Sequence, residues 1–173
     1  MAQNERYKTL IDDCISKMAE DEKDLFKQIA EYAVELGYTP KTIKTARGVS
    51  DALTFTKSKV KRTLLKIRPN KNGNSQLVLS FFASSDYSDV FKQGIKLVID
   101  EFNGRYTGCY GCGKCEKGKL QGYTFIYPDG KKVFRCGGAL IELPPISLDN
   151  IAEIKQLMIK QDECFLEMAK KTV

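Results

Sequence analysis

Residues 60–82 read VKRTLLKIRPNKNGNSQLVLSFF, two apolar runs on either side of Asn72-Gly73. A tight type I′ turn needs positive φ at both central residues, which Asn and Gly supply at least cost, so the stretch predicts an antiparallel hairpin. Its strands fall at 60–68 and 76–82. With the turn centred on Asn72-Gly73, Leu65 and Ile67 share a face with Val78, Ser80 and Phe82. Leu64, Lys66 and Arg68 then share the other with Leu77, Leu79 and Phe81, because side chains alternate along a strand. Neither face is polar throughout, so the sheet is expected to be covered at least partly on both sides.

Working outward, residues 52–57 give one more strand before the hairpin. The first forty residues are helical in pattern: Tyr7, Leu10, Ile11, Cys14, Ile15 and Met18 keep the 3.6-residue period, as do Leu25, Phe26, Ile29, Ala30, Ala33 and Leu36. The acidic stretch Glu20 to Asp24 suits a helix start, and Gly37 and Pro40 supply a stop, which predicts a helical hairpin or one long bent helix. After the central hairpin, 87–103 form a third helix with Val90, Phe91, Ile95, Val98, Ile99 and Phe102 on one stripe, ended by Asn103-Gly104. Strands 123–127 and 132–136 are joined by Pro128-Asp129-Gly130, and a short strand at 140–143 stops at Pro144-Pro145. A last helix begins near Ser147 or Asp149 and runs to about Lys170, with Ile151, Ile154, Leu157, Met158, Phe165 and Met168 inward.

No repeat or linker interrupts this order, so 1–173 is expected to be a single α+β domain with helices packed on a mainly antiparallel sheet. Its parts are a helical portion (1–40), sheet and helix (41–103), a cysteine loop with hairpin (104–146) and a long C-terminal helix (147–173). The order of elements over 20–103 loosely resembles that of small bacterial α+β proteins of the YjbR and frataxin-like group. That resemblance implies a helix-covered sheet and transfers no functional residue.

Of the 173 residues 42% are hydrophobic, enough for an ordinary core. No apolar run approaches the roughly 20 residues that span a bilayer, and Met1 to Arg6 lacks the character of a secretory leader. A cytoplasmic protein with no membrane partner is expected. Histidine is absent, which excludes histidine triads and Cys/His zinc sites. No P-loop, dinucleotide fingerprint, nucleophile elbow or carboxylate-rich metal motif occurs, and no residue nominates itself as nucleophile or base. The expectation leans away from an enzyme.

Charge is uneven. Residues 1–40 are net −4, residues 41–71 carry ten basic side chains against the single acid Asp51, and residues 104–136 are net +5. The run Lys57, Lys59, Lys61, Arg62, Lys66, Arg68 and Lys71 offers a candidate anion-binding strip. In a regular strand Arg62, Lys66 and Arg68 project to one face and could track the phosphates of a nucleic acid or another anionic ligand, with Phe55, Tyr106, Tyr110 and Tyr123 adding stacking on bases. The competing reading is a charged edge that resists aggregation.

Intracellular thiols are held reduced, so six cysteines point to metal or thiol chemistry rather than to disulfides. Cys14 and Cys164 sit alone in helical patterns and read as core residues. The other four are gathered as C-Y-G-C-G-K-C at 109–115 and Cys136. Gly108, Gly111 and Gly113 permit the tight turns that wrap thiols around one centre. Folding back at Pro128-Asp129-Gly130 places Cys136 opposite Gly122 or Tyr123, where the loop enters the hairpin. Arg105, Lys114, Lys117, Lys119, Lys131, Lys132 and Arg135 surround the cluster and would offset the charge of four thiolates on a dication.

Three readings compete. A closed tetrahedral Zn2+ site on Cys109, Cys112, Cys115 and Cys136 would fasten the third helix to the following hairpin. An iron–sulfur cluster is the alternative: C-x2-C-G-x-C over Cys109, Cys112, Gly113 and Cys115 resembles the opening of the bacterial ferredoxin motif, which implies electron transfer or redox sensing. That motif's next cysteine and proline are replaced here by Lys119 and Leu120. A redox dithiol at Cys109 and Cys112 is the third, against the loop-like residues that follow it.

Overall fold

The computed structural model describes residues 2–44, 51–105, 107–111, 115 and 120–171. Two helices come first, α1 (Ala2–Ile15) and α2 (Lys23–Glu35), separated by a 3-10 turn at Glu20–Glu22. They pack against each other as a pair rather than forming one bent helix. The strands β1 (Thr39–Lys44), β2 (Asp51–Lys57), β3 (Arg62–Arg68) and β4 (Gln76–Leu79) follow, then α3 (Asp89–Asp100). The chain continues through the hairpin β5 (Gly122–Ile126) and β6 (Lys132–Cys136), the short β7 (Ile141–Glu142) and α4 (Ile151–Lys170).

Five strands form one antiparallel sheet in the order β1-β2-β3-β4-β7, and β5-β6 form a second, two-stranded sheet. The α+β architecture expected from the sequence is present. The apolar core joins α1 and α2 (Ile11, Phe26, Ile29), the sheet (Phe55, Leu65, Ile67, Leu79), α3 (Phe91, Ile95) and α4 (Ile154, Met158, Phe165). No helix among the described residues is long and apolar enough to cross a membrane.

Three details differ from the sequence reading. β1 lies where Gly37 and Pro40 read as a stop; a strand at the sheet edge accommodates the proline that an interior strand would reject. The β3–β4 register is one residue from that of a turn centred on Asn72-Gly73: Leu65 pairs with Leu79, Lys66 with Val78, Ile67 with Leu77 and Arg68 with Gln76. The left-handed residues are Gly73 and Asn74 (φ 82° and 61°), while Asn70 organises the loop by accepting the Asn72 N–H on its side chain and the Gly73 N–H on its carbonyl. A one-residue shift exchanges faces. Leu65, Ile67, Leu77 and Leu79 therefore share one side, and Lys66, Arg68, Gln76 and Val78 the other.

The third difference is a bulge. Phe55 pairs with Leu65 but Thr56 with Thr63, so Leu64 is the extra residue on β3. Beyond it the alternation inverts, and Arg62 pairs with Lys57 on the α4 side of the sheet, its guanidinium 5.6 Å from the Phe165 ring centre. Arg62 thus faces away from Lys66 and Arg68, and the single strip expected of the three does not form. Arg68 is engaged by Glu142 at 2.7 Å and by Gln76 at 3.1 Å. Phe55 and Tyr123 are buried and offer no surface to a base, and Tyr106 lies outside the described residues.

Candidate metal centre

Of the two partners that a fold at Pro128-Asp129-Gly130 offers Cys136, the hairpin uses Gly122, and Tyr123 pairs with Arg135. Asp129 accepts the Lys131 N–H, the Tyr127 carbonyl accepts the Gly130 N–H, and Gly130 takes φ 82°. Packing then fixes the hairpin against the larger sheet. Tyr123 is buried edge-on against Phe81, its hydroxyl accepts the Phe81 N–H at 3.0 Å, and burial holds its phenol well above the ordinary value. At the other end the Tyr127 hydroxyl donates to Asp100 in the last turn of α3. That bond raises the Tyr127 phenol to about 12, and Asp100, which also accepts from Lys96, is held below the usual carboxylate value.

The loop that carries Cys109 returns to the same place. Gly108 donates its N–H to the Phe134 carbonyl at 2.7 Å and forms a parallel bridge with Arg135. Cys109 therefore follows directly on a residue bridged to Arg135, and Cys136 follows Arg135. Gly108 and Gly111 take φ 83° and 61°, the left-handed backbone that the sequence assigned to them. A Cβ at either would meet nothing within 4 Å, so conformation rather than space selects glycine there. Gly122 is different, since a Cβ there would lie 2.2 Å from the Arg135 carbonyl oxygen.

Two of the thiols have the same local setting. The Gly111 N–H points at Cys109 Sγ at 3.4 Å, and the Gly138 N–H points at Cys136 Sγ at 3.5 Å. In each case the donor lies two residues beyond the cysteine. Cys109 is exposed, Cys115 half-buried and Cys136 buried, and Cys112 lies outside the described residues. Arg135, only 8% exposed and next in the chain to Cys136, sits with its guanidinium 5.6 Å from the Tyr110 ring centre. The described cysteines are free thiols, and no group of three or more metal-ligating side chains is gathered among the described residues. Lys114, Lys117 and Lys119 fall outside them.

A second polar constellation was not singled out in the sequence. Asp162, on the buried face of α4, accepts from the Tyr38 hydroxyl at 2.9 Å and from Lys57 Nζ at 2.6 Å, and that ammonium lies 4.8 Å from the Tyr38 ring centre. Chemically it is a satisfied buried ion pair that ties α4 to β2. The signal that could have found it is an acid inside the apolar stripe of α4 together with a lysine ending β2. The chain matches no protein-family model, no curated protein and no solved structure.

Proposed function

We propose that the protein is a metal-fastened α+β domain in which Cys109, Cys112, Cys115 and Cys136 hold one Zn2+ with no exchangeable ligand, and that the metal's role is structural. The observation that carries this reading is the return of the cysteine loop to β6 through the Gly108–Arg135 bridge, at the residues preceding Cys109 and Cys136. Independent turn chemistry and a backbone bridge bring together two distant parts of the chain at the residues next to Cys109 and Cys136, which supports a shared site. The N–H donors of Gly111 and Gly138 are what sulfur carrying negative charge requires around it, as outer contacts orient and support metal ligands. Arg135 adds a cation suited to a site where four thiolates exceed the metal charge.

Metal analysis and a visible spectrum on protein purified under reduction test the reading. One zinc per chain in a colourless protein is expected, with the zinc lost in Cys136→Ser and Cys109→Ser. Iron and sulfide in a brown protein would replace zinc by the cluster reading. Metal-free protein with unchanged stability would sink both.

A further inference from the structure

A cleft of about 150 Å³ opens between the start of β3 and the segment after Cys136, lined by Lys61, Arg62, Thr63, Ser80, Gly137, Gly138 and neighbouring apolar residues. Among the described residues its lining includes the cations Lys61 and Arg62 and no carboxylate. No carboxylate among the described residues forms an ion pair with Lys61 or Arg62. The bulge at Leu64 produces this arrangement, because it turns Arg62 to the α4 side, where the guanidinium is held against the Phe165 ring. Ser80 is 2% exposed, and its hydroxyl approaches that of Tyr123 without reaching hydrogen-bond geometry. Gly137 is fixed by packing, since a Cβ would lie 2.7 Å from the Phe82 ring. Gly138 adds no side chain to that wall, and its N–H is already directed at Cys136 Sγ.

We infer that this cleft binds a small oxyanion of the phosphate class, either free phosphate or the phosphate group of a monoester. An arginine fork presents paired N–H donors that match two oxygens of such a group, and a lysine adds a point charge. The Ser80 hydroxyl, buried beside the cleft without a hydrogen-bond partner, is a further donor for an oxygen that reaches it. The volume takes the phosphate, and the rest of a monoester would extend into solvent. Nothing in the inference depends on the metal.

The test is calorimetric titration of the full-length reduced protein, as purified, with inorganic phosphate and separately with phenyl phosphate at low ionic strength. One saturable site per chain is expected, weakened about tenfold or more in Arg62→Gln and less in Arg62→Lys, which keeps the charge but loses the fork. Ser80→Ala and Lys61→Asn are further variants, the latter chosen because Lys61 has φ 51°, which asparagine tolerates. Thermal melts of each confirm that it is folded. Tighter phenyl phosphate than phosphate assigns the site to monoesters, and the reverse assigns it to the free anion. Lys66→Gln, on the opposite face of the sheet, is expected to leave binding unchanged. Absence of saturable binding overturns the inference, as does equal weakening by Lys66→Gln and Arg62→Gln. Preference for a short single-stranded oligonucleotide, lost in Lys66→Gln, overturns it in favour of nucleic acid.

Discussion

Asp162 and Gln161 lie on the buried stripe of α4, at positions where the helical period alone calls for apolar side chains. Each is accommodated by a partner far away in sequence: Gln161 accepts the Ala83 N–H, and Asp162 binds Tyr38 and Lys57. A buried acid looks like a solvated one until its partner is located, so the sequence shows an acid within the apolar stripe of α4 but not its pairing with Lys57. Removing the cation alone leaves a buried carboxylate without its counter-charge, so Lys57→Met is expected to cost about 3–5 kcal/mol. Adding Asp162→Asn keeps an acceptor for Tyr38 and removes the unpaired charge; the double variant should be more stable than Lys57→Met alone. Urea unfolding of the four proteins checks this, and simple additivity would contradict it. Cys14 is legible, a lone cysteine in an apolar period, and it is buried. Burial pushes its thiol up to about 12 from 9.0. The folded state therefore holds the proton more tightly, and the stabilisation is complete below pH 9 and lost as pH rises from about 9 toward 12. The slope from this one group is about 1.4 kcal/mol per pH unit. Cys14→Ala should lower stability at neutral pH yet flatten its fall between pH 9 and 10, measured by unfolding at each pH.

Helices are legible in the sequence because their apolar periods are long, whereas strand register depends on a single loop residue. The sequence named Asn72-Gly73 as the left-handed pair, but the structure uses Gly73-Asn74. Asn70 makes the difference by holding the Asn72 and Gly73 N–H groups, and Ser75 Oγ accepts the Asn70 N–H at 3.0 Å. That local chemistry widens the loop, and the wider loop puts Leu77 and Leu79 beside Leu65 and Ile67. The bulge was hidden for a related reason: Leu64 and Leu65 are consecutive apolar residues, both buried, and alternation cannot show which of them is extra. In the Pro128-Asp129-Gly130 hairpin no bulge intervenes, and Cys136 pairs with Gly122, one of the two partners expected for it. The two loop asparagines separate the alternatives. Asn74→Val, forced into left-handed backbone, should lose about 1–2 kcal/mol, whereas Asn72→Val should change stability by less than about 0.5 kcal/mol. The reverse order in denaturant midpoints would restore the tighter turn.

Across the whole molecule the two sheets are held in different ways. The five-stranded sheet shares its core with all four helices, from Ile11 to Phe165. The β5–β6 pair is a separate sheet, and a two-stranded hairpin alone is marginal in water. Its ties to the rest include Tyr123 against Phe81 and Phe82, Tyr127 to Asp100, and packing on α3. The loop bearing Cys109 is tied to the hairpin, through the Gly108 bridge to β6 and the Tyr110 ring against the Arg135 guanidinium. A structural zinc would therefore contribute most where the protein's own contacts are fewest. Chelation under reducing conditions should speed hydrogen exchange at Gly108, Gly111 and Gly138, while β2, β3 and β4 keep their protection. The thermal midpoint should fall by about 2–4 °C for each kcal/mol of stabilisation withdrawn, as expected for a chain of this size. Loss of protection in β2–β4 together with the loop would mean that the metal supports the whole fold rather than one end of it. Unchanged exchange at those glycines would remove the fastening role, because a closed thiolate site has no other way to act on this structure.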